Sequence, residues 1–387
     1  MIFLEIVFGL LLGFVLGLIP SFHLNVLSYL LLLLGIFSLM YSSFYFFFSL
    51  ATSMTVAGIV PLLLFNAPTA DNFTLNLGQQ EDQSILPYIF GFVFGSLFSV
   101  LLLPLFYLLF SFFSNFYIFI FLVLLVTLFY LVFSDSNRPL ALMVVIFSGI
   151  LGIITLKYNF FFSEPLLPCI FGLFALPMLV VSFLDNTVDK SDSAPVQEIV
   201  QFKPAIFSAF LGSLFSSVIA IVPSLSPGMA QIFPAVLFEK LSKHNRKVLL
   251  SSTLLSVILI YFFMAALFRK SRLGFVSILL EKGAFPALSF PDILLLCFVF
   301  LFVVSLSCFI LLVSFSNISK AIKSLPRKAT IFCVIVFSIW LIVLVTNIYS
   351  FFLIILSFCI GLLPIVYNKN KLLLMSYLIL PTILFYI

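Results

Sequence analysis

The chain alternates long apolar blocks with short polar breaks from one end to the other. Each block runs for about 17–25 residues, the length at which an α-helix crosses a bilayer at 1.5 Å per residue. The blocks are continuous rather than alternating in ten-residue units, so they predict helices and not the strands of a β-barrel. We therefore expect an all-α polytopic membrane protein with about 14 hydrophobic segments.

The longest polar stretch lies in the middle of the chain and divides these segments into two groups of seven. It reads DNTVDKSDSAPVQEIVQFK and is typical of a solvated linker. We therefore predict a first transmembrane repeat at 1–184, a polar linker at 185–204 and a second transmembrane repeat at 205–387. The predicted helices cover 3–19, 24–40, 43–64, 86–110, 116–133, 140–156 and 166–184, then 205–222, 228–240, 248–268, 290–315, 330–348, 350–366 and 372–386.

Composition and charge agree with a chain that lies mainly in lipid. Of the 387 residues, 64% are hydrophobic and 8% are charged. The core of a soluble protein does not require so large a share of hydrophobic residues. Three basic loops, at 239–247, 316–328 and 368–371, are expected in the cytoplasm, which places both termini outside. The first block has neither a basic leader nor a small-residue cleavage site, so we expect a spanning helix there. The localisation predicted is the cell membrane, with many passes.

The two halves share landmarks when the chain is aligned with itself at an offset of 203 residues. Gly9 then matches Gly212, Pro20 matches Pro223 and Ser21 matches Ser224, and small residues precede each proline. Seven blocks per half is an odd number, so the second half must insert upside down relative to the first. Inverted-topology repeats with broken helices or re-entrant hairpins are typical of secondary transporters, which bind substrate near the midplane.

The breaks PSFHLN (20–25) and PSLSPG (223–228) are the candidate substrate site. A proline removes a backbone donor, and the freed carbonyls need partners that lipid cannot supply. A proline kink satisfied by neighbouring helices is the alternative, and we prefer it for the lone Pro104 and Pro381. The candidate substrate-binding residues of the two breaks are Pro20, Ser21, His23, Asn25, Pro223, Ser224, Ser226, Pro227 and Gly228.

A second group of candidates follows a later helix of each half. Asn66 and Asp71 lie in the stretch that aligns with the cationic residues 269–272. One interpretation of Asp71 is functional, as a ligand of a cation or as half of a gate. The alternative is an acidic residue in a solvated loop. On a continuing helix Arg269 and Arg272 would share one face and could attract an anionic group. The alternative for them is an interfacial anchor whose charges reach the lipid headgroups.

Other chemistry finds no support in the sequence. Two histidines and five dispersed cysteines provide no metal or disulfide pattern, and no nucleotide-binding motif occurs. We predict no catalytic, cofactor-binding or metal-binding residues, and therefore not an enzyme. Transport would be passive or driven by an ion gradient, with Na⁺ or H⁺ as the coupling ion.

These residues resemble the large membrane subunit, or permease, of the tripartite tricarboxylate transporters, particularly an archaeal-type branch. The resemblance lies in GFVLGLIPS (13–21), SSVIAIVPS (216–224), FNAPTAD (65–71) and FRKSRLGF (268–275), although serine stands at 21 and 224 where the family has glycine. It implies a carboxylate permease that works with a small membrane subunit and an extracytoplasmic binding protein.

The functional prediction is a secondary transporter for a small organic anion, a carboxylate, working by alternating access between the repeats. Its expected partners are membrane lipids and that solute, with no nucleic acid. A flippase for a phosphate-bearing polyprenyl lipid is the alternative, because broken helices and a cationic loop would suit it equally. An intramembrane enzyme or a scaffold is a third possibility.

Overall fold

The computed structural model describes residues 2–19, 24, 27, 44–65, 84–113, 117–157, 165–184, 201–227, 229, 242–271, 273–281, 283 and 289–386. All regular secondary structure within these ranges is helical. Seven of the described helices or joined helices are long and apolar enough to cross a membrane, and a bent pair adds up to one more. The predicted class, an all-α polytopic membrane protein, is confirmed.

The first half contains nine α-helices, within the residues that are described. A π-helix, Ile153–Lys157, extends α7, and a second one, Phe171–Ala175, joins α8 to α9 in a single span. The helices are α1 (Ile2–Gly17), α2 (Phe44–Ala57), α3 (Ile59–Phe65), α4 (Leu86–Leu101), α5 (Leu103–Phe113), α6 (Tyr117–Phe133), α7 (Arg138–Gly152), α8 (Leu166–Ile170) and α9 (Leu176–Leu184).

The described part of the second half contains seven α-helices. A 3₁₀ turn, Lys371–Met375, leads directly into the last of them. They are α10 (Phe202–Ile221), α11 (Lys243–Phe268), α12 (Gly274–Glu281), α13 (Phe290–Ser324), α14 (Arg327–Val345), α15 (Ser350–Val366) and α16 (Ser376–Tyr386). Apart from residues 24, 27 and 229, the predicted helices 24–40 and 228–240 lie outside the described residues, as does most of the predicted linker.

Two of the predicted basic loops are partly helical, which corrects the boundaries of their helices. α13 extends to Ser324 because Leu325, which precedes Pro326, is the first residue forced into an extended conformation. α11 begins at Lys243 because the Ser242 hydroxyl accepts a hydrogen bond of 3.3 Å from the backbone N–H of Asn245 and caps the helix. The basic residues of these stretches therefore lie largely on helix ends.

The predicted helix 86–110 is not one straight helix. α4 and α5 meet at Leu102 with a bend of 62°. Pro104 cannot donate a hydrogen bond to the carbonyl of Val100, so the ladder of helical hydrogen bonds is interrupted there. The sequence interpretation of Pro104 as a proline kink agrees with this bend, because sharp helix kinks of more than about 20° occur mainly at proline.

Glycines let the first helix of each half approach its neighbour closely. A Cβ added at Gly9 of α1 would lie less than 3.0 Å from the carbonyl oxygen of Phe46 in α2. A Cβ added at Gly212 of α10 would lie 2.5 Å from the carbonyl oxygen of Leu249 in α11. Gly212 and Leu249 follow Gly9 and Phe46 by the same 203 residues, so one packing contact recurs at the offset found in the sequence.

The two halves pack against each other in reciprocal pairs. α2 contacts α13, and α11 contacts α4. α7 packs against α16, and α15 packs against the span formed by α8 and α9. α6 likewise contacts α16, and α14 contacts α9. One hydrophobic core therefore contains side chains from both halves.

An ion pair joins the halves at one end of the bundle. Lys369 Nζ lies 2.7 Å from Asp135 Oδ1, in the loop between α6 and α7, and donates a 3.0 Å hydrogen bond to Ser136 Oγ. Burial alone would raise the pKa of the Asp135 carboxyl. The hydrogen bonds from Lys369 and from the N–H groups of Asn137 and Asn370, together with the Lys369 charge, outweigh burial and hold this pKa below its usual range. The loop 134–137 thus lies on the same side as the basic loop 368–371.

Candidate functional site

The break after α10 is the part of the predicted site that the structure describes most fully. α10 ends at Ile221, and Val222 leaves the helix with a ψ of 118° while its N–H donates a 2.8 Å hydrogen bond to the carbonyl of Val218. Pro223 has no N–H, so it cannot satisfy the carbonyl of Ile219. The end of α10 therefore presents carbonyl oxygens that need partners from outside the helix.

Ser224 fixes this break to α16. Its backbone is left-handed, with a φ of 67°, a conformation that costs free energy for a residue other than glycine. Its hydroxyl donates a 3.0 Å hydrogen bond to the carbonyl of Leu378 and lies 2.5 Å from the hydroxyl of Thr382. Thr382 follows Pro381 inside α16, so the two proline-bearing segments are held together by side chains.

Ser226 is buried without a hydrogen bond. The residue is 6% exposed, and its hydroxyl has no hydrogen-bond partner among the described residues. Its carbonyl accepts a 2.9 Å hydrogen bond from the N–H of Met229, so the backbone is ordered around it. Leu225, Pro227 and Met229 are buried as well. A buried hydroxyl without a partner costs about 1–3 kcal/mol, which a ligand that binds there would recover.

The end of α1 resembles the end of α10 as far as it is described. α1 ends at Gly17, and the N–H groups of Leu18 and Ile19 donate hydrogen bonds to the carbonyls of Val15 and Leu16, at 3.2 and 3.1 Å. These bonds span three residues and tighten the last turn directly before Pro20. Both helices thus end just before the prolines at which the sequence predicts breaks.

A cluster of serines holds α10 in place between α11 and α4. The Ser213 hydroxyl donates a 3.0 Å hydrogen bond to the carbonyl of Gly95 and lies 3.0 Å from the hydroxyl of Ser252. Ser256 donates to Ser213 at 3.1 Å and lies 2.5 Å from Ser99. Because these hydroxyls bind one another directly, the cluster supports the helix that carries the break rather than binding a solute.

Arg269 does not continue the helix that precedes it. It caps α11 in a left-handed conformation, with a φ of 53°, and its N–H donates to the carbonyl of Ala265 at 3.1 Å. Its side chain is exposed. The chain turns at Arg269, so the continuing helix on which Arg269 and Arg272 would share one face does not form at Arg269.

The remaining predicted site residues lie outside the described part of the chain, so their placement across one polar cavity stays a prediction. They are Pro20, Ser21, His23, Asn25, Asn66, Asp71, Gly228 and Arg272. Of the predicted site, the structure brings Pro223, Ser224, Ser226 and Pro227 together in one segment, and Arg269 lies at the end of α11.

Sequence reasoning missed the residues that hold the break in position. Leu378 and Thr382 of α16 were not candidates, although Thr382 directly follows Pro381 and so combines a hydroxyl with a proline as both breaks do. The serines of α4, α10 and α11 were also missed. Their spacing of three or four residues within apolar helices was the available signal.

A family model described as the tripartite tricarboxylate transporter TctA family matches residues 3–376. The chain belongs to this family. No curated protein and no solved structure matches the chain.

Membership of the TctA family makes the protein a multi-pass secondary transporter permease, and it confirms the prediction that the chain is not an enzyme. Members of the TctA family function in tripartite systems with a small membrane subunit and a binding protein outside the membrane. The resemblance to the large subunit is thus confirmed at the level of the family. The TctA family gives no support to the flippase alternative.

Proposed function

We propose that this permease moves a small carboxylate across the cell membrane by alternating access between two inverted repeats, 1–184 and 205–387. An archaeal-type position within the family is part of the proposal, as is cooperation with one small membrane subunit and one extracytoplasmic binding protein. The bound substrate would lie between the breaks that begin at Pro20 and Pro223.

The observation that carries this proposal is the recurrence of one contact at one offset. The contact of Gly9 with Phe46 and that of Gly212 with Leu249 are separated by 203 residues, as are the two prolines at the helix ends. The reciprocal packing of α2 with α13 and of α11 with α4 is what two repeats related by a two-fold axis produce. Two related halves around broken helices allow one site to open to either side.

The polar groups of the breaks suit a solute that carries carboxylates. Ser21, His23 and Asn25 on one side, and Ser224, Ser226 and Gly228 on the other, would replace its hydration shell with hydroxyl, amide and backbone groups. Arg272 would supply charge, because a guanidinium matches a carboxylate in a bidentate way. Asn66 and Asp71 would line the entry from the first half.

The test is counterflow in proteoliposomes that contain the purified permease, with radiolabelled tricarboxylate, dicarboxylate and monocarboxylate as separate probes. Counterflow needs no ion gradient, and the small membrane subunit and the binding protein are included because members of the family function with them. Exchange of at least one carboxylate that protein-free vesicles lack is the expected result. If all three probes give no exchange above protein-free vesicles, a carboxylate is not the substrate.

The role of charge is tested with Arg272→Gln and Arg272→Lys, and with Lys270→Gln as the matched control. Lys270 is an exposed cation two residues away, so its loss changes the local charge equally. Arg272→Gln should reduce exchange by about tenfold or more, Arg272→Lys should retain part of it and Lys270→Gln should be unchanged. Equal exchange in all three variants would make this stretch an interfacial anchor.

A further inference from the structure

From the geometry we infer that Lys247 binds a carboxylate of the transported solute at the end of the bundle where α4, α10 and α11 begin. This inference rests on the proposed function and adds a second place for the solute, at the opposite end of α10 from the break. The phosphate of a lipid headgroup is an oxyanion with the same chemistry, so the test includes both sources.

Lys247 is a charged side chain that lies inside the bundle. The residue is only 5% exposed, although the sequence places it in a basic loop that would serve orientation. Its Nζ lies 6.0 Å from the centroid of the Tyr88 ring, and Tyr88, in the first turn of α4, is fully buried. The ammonium therefore points from α11 toward α4 and is attracted by the face of the ring. Burying a charge is costly, and such residues in membrane bundles commonly mark the path of a ligand.

Three helices run parallel at this place, with their N-termini side by side. The contacts between them advance in the same order along each helix: they join Val248 to Ala205 and Gly91, and then Ser256 to Ser213 and Ser99. Each N-terminus carries the equivalent of about half a positive charge. Neither α4 nor α10 has a side-chain cap, so backbone N–H groups there add to the attraction for an anion around Lys247.

The side chains of this end decide the class of ligand. Lys203 and Arg246 are exposed cations near the starts of α10 and α11. No acidic residue occurs in the described stretches that form this end, 84–95, 201–213 and 242–256. A cationic ligand would be repelled by these charges and by the helix dipoles, whereas a carboxylate would be attracted by both.

The position of Lys247 favours a solute over a lipid headgroup. Ser242, which caps α11, is exposed, and Lys247 follows it by five residues, about 7 Å further into the bundle. An ammonium has three donors, so a carboxylate can bind beside the Tyr88 ring and the other contacts of the lysine. Along α10, Pro223 lies about 25 Å from this end, so Lys247 and the break are separate places.

The test measures the Tm of the purified permease in detergent with citrate, a tricarboxylate probe, and with potassium chloride at equal ionic strength. Phosphatidylglycerol added to the detergent is the lipid probe. Lys247→Gln and Lys247→Met remove the charge, and methionine is apolar and suits a buried position if glutamine prevents folding. Lys247→Arg keeps the charge. Arg246→Gln is the matched control, because Arg246 is exposed and its loss changes the net charge equally.

Citrate should raise the Tm of the wild-type protein in a saturable way, because a ligand that binds only the folded state stabilises it. Lys247→Gln and Lys247→Met should each raise the half-saturating citrate concentration by about tenfold. Lys247→Arg should change it by less than about threefold, and Arg246→Gln should leave it unchanged.

Four results would overturn the inference. The first is no effect of citrate on the wild-type protein. The second is a wild-type response to citrate by the uncharged variants, in which case Lys247 only pairs with a group of the protein, such as Glu81 or Asp82, which lie outside the described residues. The third is an equal loss in Arg246→Gln. The fourth is stabilisation by phosphatidylglycerol that depends on Lys247, without a response to citrate, which would assign the site to lipid phosphate.

The two proposals fail in different ways. Carboxylate counterflow by the wild-type protein, with an unchanged citrate response in the uncharged variants, would refute the role of Lys247 and leave the proposed function intact. A citrate response that depends on Lys247, without exchange of any carboxylate, would refute the proposed function and leave Lys247 as an oxyanion site.

Discussion

A single methyl group added at Gly9 or at Gly212 should destabilise the protein, and by similar amounts. The Cβ of Gly212→Ala would lie 2.5 Å from the carbonyl oxygen of Leu249 and 2.9 Å from the Cβ of Ser252, whereas ordinary contacts begin at 3.4 Å. α10 would have to move away from α11 by about 1 Å, in a close-packed interface where such shifts cost free energy. Gly9→Ala meets the same obstacle at Phe46.

The expected magnitude follows from two opposing effects. Overpacking costs about 1–3 kcal/mol, and the upper end applies here because the obstacle is backbone rather than a flexible side chain. Alanine gains about 1 kcal/mol over glycine inside a helix. The net loss in the free energy of unfolding should therefore be about 2 kcal/mol for each variant, which corresponds to a fall of a few degrees in Tm.

The measurement is thermal unfolding in detergent, monitored by circular dichroism. Leu11→Ala is the control, because Leu11 lies on the outward face of α1 with 52% of its surface exposed, and its replacement should change stability by less than about 0.5 kcal/mol. If Gly212→Ala unfolded at the wild-type temperature or above it, helix propensity would dominate and the close approach would be refuted. A loss for Gly9→Ala alone would contradict the equivalence of the two contacts.

Two further predictions concern polar contacts between helices. Asp135→Asn should lower the free energy of unfolding by about 1–3 kcal/mol at neutral pH. Because the folded-state pKa of Asp135 is lowered, the ion pair stabilises the protein above the unfolded pKa of about 4, and its contribution is lost as the pH falls through the folded pKa. The Tm difference from wild type should thus close under acid conditions, and a difference that is independent of pH would contradict this role of Lys369. Ser213→Ala should cost about 1–2 kcal/mol, because Gly95, Ser252 and Ser256 all lose a partner. Unchanged thermal unfolding of that variant would show that packing alone holds α10.

The helical segments and the positions of the two breaks could be predicted from sequence because both follow from local chemistry. An apolar run long enough to cross a bilayer must be helical, and a proline preceded by small residues marks where α1 and α10 end. The offset of 203 residues was visible for the same reason, since Gly9 and Gly212 are conspicuous in apolar surroundings. It required no knowledge of the neighbouring helices.

The behaviour of lone prolines could not be predicted, because it depends on what packs beside them. Pro104 lies at a 62° bend, whereas Pro381 lies inside the continuous helix α16. Beside Pro381, Gly152 of α7 lacks a side chain, and the carbonyl of Tyr377, which Pro381 leaves unsatisfied, packs directly against it. That glycine is more than 200 residues away in the chain, so only the tertiary structure identifies it.

The same limit applies to the candidate site. Ser224 and Ser226 stand two residues apart and look equivalent in sequence. One donates to Leu378 while the other remains buried without a partner among the described residues. The position of α16 decides which of the two hydroxyls is left for a ligand. α16 is the last helix of the second half, whereas the two serines follow its first helix.

The serine-rich contacts also bear on how the protein is made. Thr52, Ser148 and Thr155 each donate to a carbonyl four residues earlier along the chain, at 2.8, 2.7 and 2.8 Å. A helix whose hydroxyls are already satisfied internally can enter the bilayer alone without exposing bare polar groups to lipid. The hydroxyl oxygens still have lone pairs to offer when a neighbouring helix arrives later. Insertion of each helix by the ribosome-bound translocation machinery can therefore precede the assembly of the bundle as a separate step. The helices then need not associate in the order in which they are synthesised.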